Sequence, residues 1–292
     1  AVEDVSFTIN EKEAFGLAGE SGCGKSTVGR CILRLIEPNS GEVLLRGTNI
    51  LDLDKHQLRS IRKNMQIIFQ DPYSSLNPRR TIGQTLAEPM AVHNLYPEKE
   101  AREVVAALLE NVGLSANAID KYPHEFSGGQ RQRVGIARAI LFNPDLIIAD
   151  EAVSALDVSI QMQILQLLQN LKEKHTLSYL FISHDLAVVR HFCQRVAIMY
   201  LGRFVELGTV AQIFDNPLHP YTVTLRNASP IPDPSVSQPF AELKGEVPSP
   251  ISPPRGCHFH PRCAKAMDIC STVYPQWVDA GQGRGVACHL YT

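Results

Sequence analysis

The chain has 292 residues, of which 44% are hydrophobic, so it is long enough to bury a large core. Its 28 Lys and Arg nearly balance its 30 Asp and Glu, so no net positive field attracts nucleic acid, and we expect no nucleic-acid partner. No stretch approaches the roughly 18 consecutive apolar residues that a membrane-spanning helix requires.

The first residues run directly into a strand pattern without an initiator Met or a targeting pattern. We therefore expect that residues upstream of Ala1 are missing from the sequence.

Short apolar runs typical of β-strands alternate with helical patterns in the first 216 residues. The runs are 14–18, 65–69, 145–149, 178–182 and 195–199. Strands separated by helices predict an α/β fold with a mainly parallel sheet. Between Gln70 and Glu125 the pattern becomes mainly helical, and Lys99–Val112 is its clearest amphipathic segment. We predict a helical subdomain, at about residues 71–140, inserted into the α/β core.

Proline content changes near Asn216. Seven of the 19 prolines lie in the first 216 residues and 12 in the last 76, where they disfavour long helices and strand ladders. We therefore predict one domain over residues 1–216 and a C-terminal extension over residues 217–292. Residues 229–256 have the composition of an extended linker.

A glycine-rich loop follows the first predicted strand. It fits the G-x-x-x-x-G-K-[ST] pattern and precedes a helical run that extends to Ile36. Its backbone N–H groups and the helix N-terminus can bind phosphate, Lys25 can reach the β- and γ-phosphates, and Ser26 can ligate Mg²⁺. The predicted residues for binding ATP phosphates are Gly19, Glu20, Ser21, Gly22, Cys23, Gly24, Lys25, Ser26 and Thr27.

The predicted strand near residue 146 ends in two carboxylates, Asp150 and Glu151. Asp150 is predicted to hold Mg²⁺ through water, and Glu151 to polarise the attacking water. Many buried strands end in an acidic residue, so this pair alone is weak evidence. Together with the phosphate loop, it predicts nucleotide hydrolysis.

The segment 126–130 opens a helical pattern and resembles the signature motif of the ATP-binding-cassette (ABC) family. Ser127, Gly128, Gly129 and Gln130 supply a hydroxyl, two permissive glycines and exposed N–H groups at a helix N-terminus. In that family the motif completes the nucleotide site of the opposite subunit. The resemblance therefore implies a head-to-tail dimer with ATP at its interface.

Other family motifs follow in the expected order. Gln70 resembles the Q-loop glutamine that contacts Mg²⁺ and water, and His184 resembles the switch histidine that contacts the γ-phosphate. The resemblance implies Glu151, His184 and Gln70 as catalytic residues, and Ser26, Gln70 and Asp150 as Mg²⁺ ligands. The D-loop of the dimer interface corresponds to Ser154, Ala155, Leu156 and Asp157.

Longer runs are similar to the ATPases of di- and oligopeptide importers. These runs are residues 70–79, 150–159 and 219–222, together with the Pro-rich, Cys-containing C-terminal extension. The resemblance implies a P-loop ABC cassette over residues 1–216 and ATP hydrolysis that powers peptide import at the cytoplasmic face of the bacterial inner membrane. The alternative cargo is nickel or glutathione, and the alternative function is that of a non-transport ABC ATPase.

The same resemblance implies three kinds of partner. They are a second ABC ATPase subunit in a heterodimer of paralogues, two integral-membrane permeases and an extracytoplasmic substrate-binding protein.

Two departures from the family pattern concern the site. Ala152 replaces the usual Pro after Glu151, and the aromatic residue that stacks on adenine in the family would lie upstream of Ala1.

Four of the seven cysteines lie in the last 36 residues, at Cys257, Cys263, Cys270 and Cys288. A cytoplasmic location disfavours disulfides, and the absence of C-x2-C weakens a zinc-finger interpretation. A [4Fe–4S] cluster, a zinc ion and no metal are the alternatives, and the resemblance to peptide-importer ATPases implies the cluster. We expect the segment to have too few apolar neighbours to form a core, so that a ligand orders it.

Overall fold

The computed structural model describes residues 2–71, 73, 75–228 and 246–292. Most of the predicted linker, residues 229–245, lies outside the described residues, as do Pro72 and Ser74 of the run 70–79. The strands are β1 Ala14–Ala18, β2 Leu44–Leu45, β3 Thr48–Asn49, β4 Met65–Ile68, β5 Leu146–Asp150, β6 Ser178–Ser183, β7 Arg195–Tyr200, β8 Arg203–Thr209, β9 Trp277–Gly281 and β10 Arg284–Ala287. The helices are α1 Lys25–Ile32, α2 Lys55–Ile61, α3 Ile82–Val92, α4 Glu98–Asn111, α5 Gly128–Ile140, α6 Val158–His175, α7 Leu186–Phe192, α8 Val210–Asp215 and α9 Pro220–Ala228.

The described residues form two compact units. The first unit comprises residues 2–51, 179–228 and 246–292, and the second comprises Asp52–Ser178. The phosphate loop and the C-terminal extension both belong to the first unit. The predicted boundary near Asn216 stays a prediction.

The first unit contains a mixed sheet. Its strand order is β6–β1–β7–β8–β10–β9, in which β1 is parallel to β6 and β7 and the remaining pairs are antiparallel. Every residue of β1 and β6 is buried. Parallel strands covered on both faces need continuous apolar runs, and such runs made these strands predictable.

The C-terminal extension adds two strands to this sheet. Strand β10 pairs with β8, and Arg284 of β10 forms an ion pair of 2.7 Å with the fully buried Glu206 of β8. The same carboxylate accepts N–H groups of Leu218 and His219, each at 2.9 Å. A buried charge is tolerated only when it is paired and hydrogen-bonded, so these contacts fasten the extension to the sheet.

The cysteine segment, residues 257–288, packs against aromatic side chains from elsewhere in the first unit. Phe259 is buried, and its ring centroid lies 5.3 Å from those of both Tyr200 and Tyr221. The expectation of too few apolar neighbours is therefore wrong. The neighbours come from β7 and α9, which lie before the linker in the chain.

The second unit contains the parallel pair β4–β5 and most of the long helices. The pair runs in register from Met65 opposite Leu146 to Ile68 opposite Ala149. Helices α3, α4 and α5 lie within the predicted helical range of residues 71–140, and α4 is displaced by one residue from the predicted segment. In the part of the chain that the structure describes, we find no helix with the length and apolarity to cross a membrane.

Candidate nucleotide site

The phosphate loop leaves the carboxyl end of β1 in a backbone conformation that requires glycine. Gly19 has φ +154°, and a Cβ on it would overlap the carbonyl oxygen of Met199. Gly24, with φ 108°, precedes α1 and has no side chain that could cap the helix. The loop therefore leads directly into the N-terminus of α1, whose partial positive charge favours an anion.

Lys25 is buried within this loop. Its Nζ donates to the carbonyl oxygens of Gly19 and Glu20, both at 2.9 Å. A phosphate that replaces these carbonyls as the acceptor would give the Lys25 ammonium an oppositely charged partner, which binds it more strongly than a neutral carbonyl does. Ser26 and Thr27 follow on the first turn of α1 and are half-buried.

His184 lies next to the phosphate loop in the first unit. Strand β6 ends at Ser183, which is opposite Ala18 in the β1–β6 register. His184 therefore follows β6 at the same sheet edge where Gly19 follows β1, and its side chain is exposed. The parallel register explains how residues 165 positions apart reach one edge, since the carboxyl ends of parallel strands coincide.

In the second unit, Gln70 and Glu151 are in direct contact. The Gln70 Nε2 donates to Glu151 Oε2 at 3.0 Å. Glu151 has φ 49°, a left-handed conformation that is uncommon for a residue with a side chain. The Ser154 N–H and hydroxyl both donate to the Glu151 carbonyl, at 3.1 and 3.0 Å, and hold this backbone in place. Asp150, the last residue of β5, is buried.

The signature residues begin helix α5 in the second unit. Ser127 caps the helix by accepting the Gln130 N–H at 3.3 Å, and the Gln130 side chain accepts the Ser127 N–H at 3.0 Å. Gly128 approaches Leu156 of the predicted D-loop, and a Cβ on Gly129 would lie 2.6 Å from the Ile160 Cγ2. Ser127 and Gln130 are exposed, so the predicted signature and D-loop form one surface.

Two side chains that no sequence motif predicts hold the phosphate loop. The Tyr221 hydroxyl accepts the Glu20 N–H at 2.9 Å, and Arg262 donates two hydrogen bonds to the Glu20 carboxylate. Tyr221 belongs to the run 219–222 that carries the family resemblance, but nothing in that run predicts a contact with the loop. Arg262 has no motif around it.

The four cysteines of the segment line one small cavity in the first unit, together with His219. Burial raises the pKa of Cys257 to about 11 and also raises the pKa values of Cys263 and Cys288. A metal ion must therefore displace protons from these thiols when it binds.

His219 supplies an unsatisfied donor at this cavity. Its Nδ1 accepts the Tyr221 N–H at 3.0 Å, and burial lowers its pKa to about 3, so the neutral ring carries its proton on Nε2. Among the described residues, that Nε2 has no hydrogen-bond partner. A buried N–H without an acceptor is uncommon.

The chemistry of the cavity lining fits a group that is bound by thiolates. Four cysteine sulfurs could act as ligands, and the His219 N–H could donate a hydrogen bond to the group. The cavity is only about 10 Å³, which is room for about one water molecule, so the sulfurs must move apart to accept a cluster. As they stand, no three His, Cys, Asp or Glu side chains of the described residues are placed to hold a metal ion.

The chain matches two protein families. Residues 2–154 match the family described as ABC transporter, and residues 205–270 match the C-terminal region of oligopeptide/dipeptide transporters. It is 52% identical over 295 residues to the oligopeptide transport ATP-binding protein AppF of Bacillus subtilis (strain 168), covering 100% of this chain and 90% of that protein. It is 48% identical over 288 residues to the dipeptide transport ATP-binding protein DppF of Haemophilus influenzae, covering 99% and 88%.

Solved structures share the fold. The cbiO1 protein of Clostridium perfringens, part of an ABC transporter complex, superimposes with a TM-score of 0.67 at 28% identity, over 74% of this chain and 84% of that chain. An ATP-binding cassette captured as a dimer in a post-hydrolysis state with ADP and Pi gives a TM-score of 0.65 at 31% identity, over 72% and 90%. These similarities agree with the predicted α/β cassette and its mainly parallel core sheet. The chain therefore belongs to the ABC transporter family of ATPases, among the ATP-binding proteins of the oligopeptide and dipeptide transport type.

Proposed function

We propose that this chain hydrolyses ATP to drive the import of peptides across the bacterial inner membrane, at whose cytoplasmic face it is bound. The observation that carries the chemistry is Glu151, which extends beyond a buried strand, is fixed by Ser154 and contacts Gln70. A positioned carboxylate of this kind can orient a water molecule for attack on a phosphate. The peptide cargo follows from the full-length similarity to named peptide transport proteins.

Each residue of the site has a role in this proposal. Lys25 exchanges its loop carbonyls for the β- and γ-phosphates, and the backbone of residues 19–27 surrounds them. Ser26, Gln70 and Asp150 hold Mg²⁺, which neutralises charge that develops on the phosphates. Glu151 polarises the attacking water, and His184 contacts the γ-phosphate.

The active unit in this proposal is a cassette dimer. The exposed Ser127 and Gln130 face away from their own core, and Val158 and Met162 beside the D-loop are exposed apolar side chains. An exposed apolar surface next to an anion-binding helix terminus suits a partner that brings ATP with it. We propose a second, paralogous ABC ATPase as that partner, with two permeases and an extracytoplasmic substrate-binding protein completing the importer.

We further propose that Cys257, Cys263, Cys270 and Cys288 hold a [4Fe–4S] cluster. The support is that the four thiols line one cavity and that the free His219 N–H adjoins it, where a cluster sulfur could accept it. Such a cluster would be structural, because ATP hydrolysis needs no electron transfer.

Transport is tested with the complex that co-purifies with a tagged form of this chain, reconstituted in liposomes with its substrate-binding protein. We expect labelled di- and oligopeptides to accumulate with ATP and not with ADP. Accumulation of labelled nickel or glutathione instead would contradict the peptide cargo. A preparation that contains nucleic acid and lacks permeases would contradict transport itself.

The cluster is tested by anaerobic purification. We expect brown protein with broad absorbance near 400 nm and about four irons per chain, as a Cys-ligated cubane requires. Cys263→Ser should abolish the colour, whereas Cys31→Ser, which changes a half-buried cysteine on α1, should keep it. Colourless protein with one zinc per chain, or with no metal, would contradict the proposal.

A further inference from the structure

The phosphate loop and the cysteine segment are joined by one ion pair within the first unit. Arg262 donates from its two terminal nitrogens to the two Glu20 oxygens, at 2.8 and 3.0 Å. The Arg262 side chain is 4% exposed and the Glu20 side chain 19%. Bidentate pairs of this kind are strong and fix the relative orientation of both groups, and burial reduces their screening by salt.

Glu20 is held at each of its polar groups. Its carboxylate accepts from Arg262, its N–H donates to the Tyr221 hydroxyl at 2.9 Å, and its carbonyl accepts from the Lys25 Nζ at 2.9 Å. A displacement of Glu20 therefore moves an acceptor of the lysine that is proposed to bind phosphate. Glu20 thus links Arg262 to Lys25, because it accepts hydrogen bonds from both side chains.

Arg262 belongs to the cysteine segment and is fixed by Phe259 of that segment and by Tyr200 of β7. Its guanidinium lies 5.9 Å from the Tyr200 ring centroid and 6.0 Å from that of Phe259, and it donates to the Tyr200 hydroxyl at 3.3 Å. Cys263 follows it directly and lines the cysteine cavity. The orientation of Arg262 thus depends on the folding of the cysteine segment.

The ion pair between Arg262 and Glu20 changes the charge of the phosphate loop, and so bears on nucleotide binding. Glu20 adds a carboxylate to a loop that must accept the negative charges of a triphosphate, and like charges repel. Arg262 neutralises that carboxylate and directs it away from solvent. Without Arg262, the loop would keep the unpaired negative charge of Glu20. It would also lose the ion pair that holds the Glu20 side chain in place.

We infer that Arg262 is a positioning residue for the phosphate loop, through which the cysteine segment sets the affinity of the ATPase for nucleotide phosphates. The inference rests on the proposed ATP site and adds a residue from the C-terminal extension to it. Arg262 acts through Glu20 and does not contact the nucleotide.

The test is a double-mutant cycle in the purified complex. Arg262→Met should raise the Kd and the KM for ATP about tenfold or more, as expected for loss of a charge-assisted bond, with a smaller change in kcat. In a Glu20→Gln background the same substitution should cost much less, because no carboxylate remains to be neutralised. Arg203→Met is the control, since Arg203 also contacts the extension, through Tyr274, and forms its ion pair with Glu3 rather than with a residue of the loop.

Three outcomes separate the possibilities. A wild-type complex that binds no ATP would contradict the proposed function. If the wild type binds ATP and Arg262→Met leaves the Kd for ATP unchanged, the inference alone is overturned. It is also overturned if Arg262→Met weakens ATP binding equally in the wild-type and Glu20→Gln backgrounds.

A wild-type measurement covers the case in which Arg262→Met fails to fold. Coupling between two sites is reciprocal, so ATP should slow backbone hydrogen exchange in residues 257–263 more than in β9. An equal response of the two segments would also overturn the inference.

Discussion

Individual side chains fasten the C-terminal extension to the sheet, and the pair Arg284–Glu206 is the most deeply buried of them. Glu206 accepts from Arg284 and from two backbone N–H groups, so its charge is fully satisfied. Removing one partner of a buried pair leaves an uncompensated charge, which costs far more than the pair contributes when it is intact.

Arg284→Met should lower the free energy of unfolding by about 3 kcal/mol. Arg102→Met provides a matched control, because Arg102 forms an equally short pair with Asp120 in which both side chains are largely exposed. That control should change stability little, since exposed ion pairs contribute little. Urea titration of both variants measures the difference, and an equally small effect in both would show that Arg284 does not fasten the extension.

Helix α5 and the turn before α6 form one exposed surface in the second unit. Ser127 caps α5, and a Cβ on Gly129 would collide with Ile160 of α6. In the head-to-tail dimer that we propose, this surface would complete the nucleotide site of the partner and leave the local phosphate loop unchanged.

Ser127→Arg should therefore damage the partner's nucleotide site and spare the local one. Photolabelling of the complex with an azido-ATP separates the two chains: label on the partner should fall about tenfold or more, because a bulky side chain replaces a phosphate donor, while label on this chain persists. Ser115→Arg changes another exposed helix-capping serine and should leave both labels unchanged. Loss of label from this chain alone would contradict the head-to-tail arrangement.

The sequence predicts some strands of the sheet and not others. Strands β1 and β4 to β7 were predicted to within one residue at each end, because strands of a parallel sheet read as continuous apolar runs. The sequence does not predict strand β8, since the charged Glu206 interrupts its apolar pattern; Glu206 is buried in an ion pair with Arg284, 78 residues away. Strands β9 and β10 were missed because the surrounding prolines indicated an extension without strands.

The candidate site was predictable where its residues lie in local motifs. Lys25, Glu151 and the signature each have a fixed spacing that carries the chemistry. The contact between Glu20 and Arg262 joins residues 242 positions apart. No local pattern encodes such a pair, so only the fold identifies it.

One chain combines the phosphate loop of an ATPase with a C-terminal extension that contacts this loop through Arg262. The first unit holds the phosphate loop, His184 and the cysteine segment, whereas the second holds Glu151, the signature and the D-loop. Glu151 is the residue on which we propose that the chemical step depends.

The most direct measurement is phosphate release by the purified complex that contains Glu151→Gln. We expect kcat to fall about 10² to 10⁴-fold, the contribution of a positioned general base, while the Kd for ATP stays close to that of the wild type. Glu173→Gln, which neutralises an exposed carboxylate on α6, should release phosphate at the wild-type rate. Near-normal turnover in Glu151→Gln would contradict the assignment of the residue on which the account depends.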